Sequence, residues 1–249
     1  TDYIIKIRTD AGEIDCANNF FNAGSDSTKV LNATGLTTME SPYDPLTDVM
    51  TVYVDVRLVD SIDGEEIKVN GALKTYGTNL FNNLADAIAA VAENGTIVLL
   101  AGQYGTDDDV YAIEKAVTIQ GTTYTDMNKE GNWEISDKDS VIVAKLDVKA
   151  NNVTIKNVVI GWQVSLDSVQ NFTMSQCVFN AVSSKENAYT VQCNGTGLKD
   201  LAFDELYVVG KNGWRIVYVY GMCENLSLTN SVVADNVTGL FDFLRFGTA

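Results

Sequence analysis

The amino-acid sequence predicts an all-β chain, a right-handed single-stranded parallel β-helix with an N-terminal capping helix. Three observations carry that expectation. A short apolar–polar–apolar segment recurs through the second half of the chain. Its spacing is irregular but stays within the ~20–50 residues of a solenoid repeat, as short stacked strands joined by turns of variable length would give. A single stretch of helical period precedes the repeats.

The chain is expected to divide into residues 1–49, strands or a cap packed on the solenoid, and residues 50–249, the β-helix itself. In the first part Tyr3–Arg8 reads as a strand, Phe20-Phe21 as a buried pair and Asn32–Asp44 as a turn-rich stretch. Met50–Asp60 alternates Val52, Val54, Val56 and Leu58 with Tyr53, Asp55, Arg57 and Val59, the period of a strand. Ser61–Gly71 is polar, with Gly64 and Gly71, and reads as a loop or hairpin. Over residues 80–92 the period changes: Leu80, Leu84, Ala87, Ile88 and Val91 fall on one helical face. Thr78 or Asn79 is placed to start that helix and Gly95 to follow its end. Thr96–Leu100 follows as a buried strand, then the turn Ala101–Gly105.

From Val117 one pattern repeats: Val117–Gly121, Val153–Asn157, Phe172–Gln176, Leu201–Glu205 and Leu226–Asn230. Their starts are 36, 19, 29 and 25 residues apart. Stacked at the ~4.8 Å strand spacing, they give two inward ladders. One is Val153/Phe172/Leu201/Leu226 and the other Ile155/Met174/Phe203/Leu228. Asn157, Gln176, Glu205 and Asn230 fall at the bend after each strand, where side-chain amides are expected to hydrogen-bond from coil to coil. Cys177 aligns with Val158, Leu206 and Ser231 and is expected to point inward.

Tyr53-Val54-Asp55, Gly64, Leu84–Ala92, Asn94–Leu100 and Gly102-Gln103-Tyr104 resemble, in order and spacing, the opening of the pectin-lyase-like β-helix superfamily. The resemblance spans roughly Thr51 to Thr238. It implies the fold, with the helix covering the exposed cross-section of the first coil. It leaves function open, since that superfamily holds lyases, hydrolases, adhesins, phage spikes and non-catalytic surface proteins.

Composition excludes several function classes. The net charge is −16, from 17 Lys+Arg and 33 Asp+Glu. That disfavours nucleic acid and anionic membranes, which need clustered cations. No histidine is present, so Ser-His-Asp and Cys-His catalysis and histidine-ligated metals are excluded. No apolar run is long enough to span a bilayer. Cys16, Cys177, Cys193 and Cys223 form no C-x-x-C pair, and Cys193 with Cys223 is a candidate pairing. Seven N-x-S/T sequons, at Asn32, Asn94, Asn152, Asn171, Asn194, Asn225 and Asn236, fit turn chemistry in a chain rich in Asn and Thr.

Three candidate sites follow. Arg215 with Asp200, Asp204 and Glu205 one coil away would suit a lyase using an arginine base and carboxylate-held Ca²⁺; surface ion pairing between coils explains the same residues. Asp107-Asp108-Asp109 is a candidate Ca²⁺ site, or a solvated loop. The aromatic set is Trp133, Trp162, Trp214, Tyr218 and Tyr220. If Val217 and Val219 point inward, Trp214, Tyr218 and Tyr220 form an outward ribbon suited to stacking on sugars; otherwise the rings fill the core. The expected function is a secreted or cell-surface β-helix protein, non-catalytic, in adhesion or carbohydrate binding. The alternatives are a polysaccharide lyase or glycoside hydrolase acting on an acidic polysaccharide, and a structural spike or surface-assembly component self-associating through the apolar segment 240–246.

Overall fold

The computed structural model describes residues 49–122, 135–180, 189–209, 215–220, 222–233 and 244–246. The chain divides into two units, Thr1–Asp48 and Val49–Ala249. The expectations for residues 1–48, including Phe20-Phe21, lie outside the described residues, as do Trp133 and Trp214.

The described part opens with β1 (Val49–Val54) and an antiparallel hairpin, β2 (Glu66–Val69) and β3 (Ala72–Thr75). Asn70 and Gly71 form the two-residue turn with φ of 49° and 87°, as a type I′ hairpin requires. The strand ends earlier than residue 60 because Asp55 turns the chain. Its carboxylate accepts from Arg57 N (3.1 Å) and takes Arg57 Nε and Nη2 at 2.7 Å each. Then come β4 (Leu80–Phe81) and α1 (Leu84–Ala90).

The helix is therefore shorter than residues 80–92. Leu80 and Phe81 lie on the helical period, but Tyr53 N–H donates to Asn79 O and Asp55 N–H to Phe81 O, both at 2.9 Å. Edge pairing with β1 outcompetes a further helical turn. The N-cap is Asn83, whose Oδ1 accepts from Asp86 N at 2.9 Å. At the other end Val91 is already extended (φ −65°, ψ 139°), and Gly95 sits inside the next strand instead of ending the helix. A Cβ at Gly95 would meet Val91 Cγ2 at 2.6 Å and Ala92 O at 2.9 Å.

Six coils follow, each laying one strand in each of three sheets. They are β5 (Val91–Leu99), β6 (Gly102–Tyr104), β7 (Val110–Ile113); β8 (Val117–Gly121), β9 (Ser140–Ile142), β10 (Lys145–Val148); β11 (Thr154–Lys156), β12 (Val159–Ile160), β13 (Val164–Asp167); β14 (Gln170–Ser175), β15 (Val178–Asn180), β16 (Tyr189–Asn194); β17 (Leu198–Asp204), β18 (Tyr207–Val209), β19 (Arg215–Val219); and β20 (Cys223–Thr229), β21 (Val232–Val233), β22 (Leu244–Phe246). The first sheet runs β20-β17-β14-β11-β8-β5-β1-β4, the second β21-β18-β15-β12-β9-β6 and the third β22-β19-β16-β13-β10-β7. Every pairing in these three sheets is parallel. The fold is thus all-β with parallel sheets, and α1 is the one helix among the described residues.

Register fixes the inward ladders. Ile97, Ile119, Ile155, Met174, Phe203 and Leu228 stand on successive rungs, at intervals of 22, 36, 19, 29 and 25 residues. Phe172, Leu201 and Leu226 form the neighbouring file. All of these are fully buried except Leu226 and Leu228 of the last coil, which are half-buried. Phe172 and Phe203 meet with ring centroids 5.9 Å apart.

In the first sheet, left-handed residues lie on both sides of the repeated apolar segment from β11 to β20, and before it in β5. The trailing file is Asn157, Gln176, Glu205 and Asn230 (φ 54°, 54°, 48° and 49°), at the bend expected from sequence. The leading file is Asn94, Asn152, Asn171, Asp200 and Asn225 (φ 61°, 58°, 55°, 54° and 55°). Asn and Asp tolerate this conformation better than other residues with a side chain. The expected amide ladder at the bend is only partly made. Asn230 Nδ2 donates to Asp204 Oδ1 (2.8 Å), but Asn157 Oδ1 is buried without a partner. Amides also join coils along the leading file, from Asn171 Nδ2 to Asn152 Oδ1 (3.0 Å) and from Asn225 Nδ2 to Asp200 Oδ1 (2.8 Å).

That file also explains four of the sequons. A left-handed Asn, an inward residue and an outward Thr or Ser spell N-x-S/T at Asn94, Asn152, Asn171 and Asn225.

Candidate functional site: the outer face of the third sheet

Residues in the third sheet alternate. Leu146, Val148, Val164, Leu166, Val191, Cys193, Val217 and Val219 are buried in the core. The residues between them form the outer face. Asp147, Ser165, Gln192 and Tyr218 pair in register along its central file, one per coil, and β22 continues the register with Arg245 opposite Tyr218. Asp167 and Asn194 pair beside it, and Tyr220 N–H donates to Cys193 O (2.8 Å), continuing that flank into the next coil.

The valine test of the sequence is therefore met on β19. Val217 and Val219 are 1% and 0% exposed, while Tyr218 is half-buried and Tyr220 is 53% exposed. The two tyrosine rings lie 6.2 Å apart at 32°. Trp162 is half-buried and stands between β12 and β13, one residue before Gln163.

The floor of this face was not legible from sequence. Gln163 and Ser165 alternate with the inward Val164 and Leu166, yet both are only 5% exposed. These outward residues are nearly buried, covered by their neighbours on the same face. Gln163 Nε2 donates to Gln192 Oε1 at 3.3 Å, and Asn194 Nδ2 lies 3.5 Å from Ser165 Oγ. Such groups offer amide and hydroxyl donors and acceptors held by their neighbours. At the low-numbered end the charges are mutually engaged. Lys145 Nζ is 4.0 Å and Lys149 Nζ 3.5 Å from the Asp147 carboxylate, and Lys149 is 3.6 Å from Glu114.

The other candidates are placed elsewhere. Arg215 belongs to β19 of the third sheet and pairs with Tyr189, whereas Asp200 and Asp204 belong to β17 of the first sheet and Glu205 follows it. Asp204 accepts from Thr229 Oγ1 (2.6 Å) and Asn230 Nδ2 (2.8 Å), and these donors hold its carboxyl below the ordinary value. Asp200 accepts from Asn225. Asp200 and Asp204 are thus engaged within the first sheet, while Arg215 lies on a strand of the third.

Asp107, Asp108 and Asp109 occupy the turn before β7. Asp109 Oδ2 accepts from Thr106 N (2.7 Å) and Thr106 Oγ1 (2.8 Å). The turn before β9 repeats this arrangement: Asp139 Oδ2 accepts from Ser136 N (2.7 Å) and Ser136 Oγ (2.8 Å). A hydroxyl residue followed three positions later by Asp closes both turns. Among the described residues no group of three or more His, Cys, Asp or Glu is arranged to hold a metal.

Cys177, Cys193 and Cys223 are free thiols. Burial pushes Cys177 and Cys193 up to about 12 each, so neither is a nucleophile near neutrality. Tyr104, the tyrosine of the expected opening turn, is buried, with its hydroxyl 2.6 Å from Leu100 O and 2.9 Å from Val54 O. No described helix is long and apolar enough to cross a membrane. No protein-family model, curated protein or solved structure matches this chain.

Proposed function

We propose that this chain is a secreted or cell-surface right-handed parallel β-helix that binds carbohydrate without catalysis, as an adhesin or glycan-recognition module of the pectin-lyase-like type. The observation that carries the reading is the pair Tyr218 and Tyr220, turned outward on a strand whose valines are buried. Aromatic side chains bring large rigid area at low entropic cost, and an exposed group of them beside the amides of Gln192 and Asn194 suits sugar rings with apolar faces and hydroxyl rims. The absence of histidine and the engagement of Asp200 and Asp204 within their own sheet support a non-catalytic role. In this reading α1 caps the solenoid: Leu84, Ala87 and Ala90 are buried in the core, and the helix packs on β1, β4 and β5.

A glycan array tests the proposal. The expected result is binding to a defined set of polysaccharides that falls on Tyr218→Ala and Tyr220→Ala with the circular dichroism spectrum unchanged. Binding indifferent to both substitutions, or no binding at all, overturns it.

A second reading, a surface-assembly component joined end to end, is favoured by the last coil. Leu226 and Leu228 are half-buried where their stacked neighbours are fully buried, and Val232 is 45% exposed. Of the segment 240–246, residues 244–246 form β22, paired with β19, and 240–243 lie outside the described residues. A strictly monomeric mass across the accessible concentration range excludes self-association as its function.

A further inference from the structure

We infer that Asn70, at the tip of the β2–β3 hairpin, is a site of self-modification: its side chain closes on the backbone nitrogen of Gly71, and the product undoes the hairpin turn. The inference is independent of the carbohydrate-binding reading.

The step is a hydrolysis with water as its co-reactant. The Gly71 nitrogen gives up its proton and attacks Asn70 Cγ. The Cγ–Nδ2 bond breaks, ammonia leaves, and a five-membered succinimide remains. Water then opens the ring. Cleavage between Cγ and the Gly71 nitrogen gives aspartate; cleavage between the Asn70 main-chain carbonyl carbon and that nitrogen gives isoaspartate. The net change is one water in and one ammonia out, with no oxidation or reduction.

Three described Asn-Gly dipeptides carry the reacting pair, Asn70-Gly71, Asn94-Gly95 and Asn194-Gly195, and a fourth, Asn212-Gly213, lies outside the described residues. Ring closure needs open space at the glycine and a backbone free to move. At Gly71 (φ 87°) an added Cβ would meet nothing within 4 Å, and Asn70 and Gly71 are both exposed. At Gly95, which is buried, it would meet Ala92 O at 2.9 Å and Met50 O at 3.0 Å. At Gly195 it would meet Asp167 Oδ1 at 2.7 Å and Ser168 N at 3.1 Å. Hydrogen bonds also hold these two segments: Asn94 N–H donates to Ala116 O (2.7 Å), and Ser168 N–H donates to Asn194 O (3.0 Å). Asn94 and Gly95 lie within β5 of an eight-stranded sheet, and Asn194 ends β16 of a six-stranded one. Among the described strands β2 and β3 pair only with each other. A two-stranded ribbon is marginal by itself and opens locally while the stacked coils stay closed.

Isoaspartate lengthens the main chain by one atom inside a two-residue turn that requires left-handed φ at both positions. The pairing of Val69 with Ala72 is then lost, and with it the strand that holds Lys74 Nζ 4.4 Å from the centre of the Tyr53 ring.

The test ages the full chain at mildly alkaline pH, natively folded and in urea, and reads each site over time by peptide mapping with isoaspartate detection. The Asn70→Gly variant, which suits the turn and lacks the amide, is aged beside it. The expected result is native conversion at Asn70 about tenfold faster than at Asn94 and Asn194, with the three sites within about threefold of one another in urea. The fraction with isoaspartate at position 70, separated by anion exchange, loses hydrogen-exchange protection over β2 and β3 but keeps it over β5 and β8, and aged Asn70→Gly protein keeps both. Native conversion at Asn94 or Asn194 as fast as at Asn70 overturns the site, as does an unchanged Asn70 over the time in which the unfolded chain converts. Isoaspartate at position 70 with hairpin protection intact overturns the structural consequence.

Discussion

The inward file Ile155, Met174, Phe203 and Leu228 allows the stack to be probed one rung at a time. Phe203 is fully buried, pairs in register with Met174 and Leu228, and meets the Phe172 ring at 5.9 Å. Phe203→Ala removes a whole ring from a closed environment, and such truncations cost about 3–5 kcal/mol. Leu228 occupies the same file one coil later but is only half-buried. A fully buried Leu→Ala costs about 2–5 kcal/mol, so a half-covered site loses roughly half of that, about 1–2.5 kcal/mol. Coils couple mainly to their neighbours, so the two lesions also differ in reach. Phe203→Ala weakens the stack from within, whereas Leu228→Ala frays the last coil. Urea unfolding followed by circular dichroism gives the costs, and hydrogen exchange localises them. Equal costs for the two variants, or Leu228→Ala opening the coils below the last, would refute the graded stack.

Further outcomes follow from the same geometry. Glu205 holds φ 48° at a bend. Glu205→Gly relieves a strain of about 1–2 kcal/mol against an entropic cost of about 0.5–1 kcal/mol, so it is neutral to slightly stabilising, whereas Glu205→Val destabilises; urea midpoints read both signs. Asp204, held below its ordinary value by Thr229 and Asn230, contributes stability that is present above the unfolded carboxylate range and lost as pH falls through its lower folded value. The gap in urea midpoint between the parent and Asp204→Asn therefore closes below about pH 4; a gap constant down to pH 2 contradicts this. Cys177 is pushed up to about 12 by burial, so its contribution is complete below the unfolded thiol value and is lost as pH rises from about 9 towards 12. With Cys16→Ser, native protein at pH 8 exposes at most Cys223, which is half-buried, to a thiol reagent; rapid titration of three thiols contradicts the inward placement of Cys177 and Cys193.

The parts of the fold legible in the sequence are those set by period two and burial. The files Val153/Phe172/Leu201/Leu226 and Ile155/Met174/Phe203/Leu228 needed only alternation and the expectation of stacking; register bears them out from Phe172 and from Ile155 onward, while Val153 is buried but precedes its strand. The bend residues were visible because Asn, Gln and Glu follow each strand at a fixed offset. The leading left-handed file was not noticed, although the sequons were its signature: Asn, inward residue, outward Thr or Ser. Leu80 and Phe81 misled because a helical stripe and a two-residue edge strand put the same apolar residues on one side. Only the N–H groups of Tyr53 and Asp55, which need acceptors, decide for the strand.

The third sheet was harder to read. Its strands follow turns of variable length, so Lys145–Val148 and Val164–Asp167 have no fixed offset from the first-sheet repeat. Tyr218 and Tyr220 could be proposed from β19 alone. The burial of Gln163 and Ser165 on an outward face depends on which strands become neighbours across 27 residues of chain, from Ser165 to Gln192.

The binding face exists only if those neighbours are right, and one cross-link measures it. Cysteines at Ser165 and Gln192 sit on adjacent rungs of a parallel pair, where the ~4.8 Å spacing lies within disulfide reach. The account predicts that Ser165→Cys with Gln192→Cys forms a disulfide on mild oxidation with the native circular dichroism spectrum retained, while Ser165→Cys with Asn194→Cys, two residues out of register, does not. Efficient linkage of 165 to 194, or of neither pair in a folded protein, would contradict the coil register on which both the face and its proposed ligand depend.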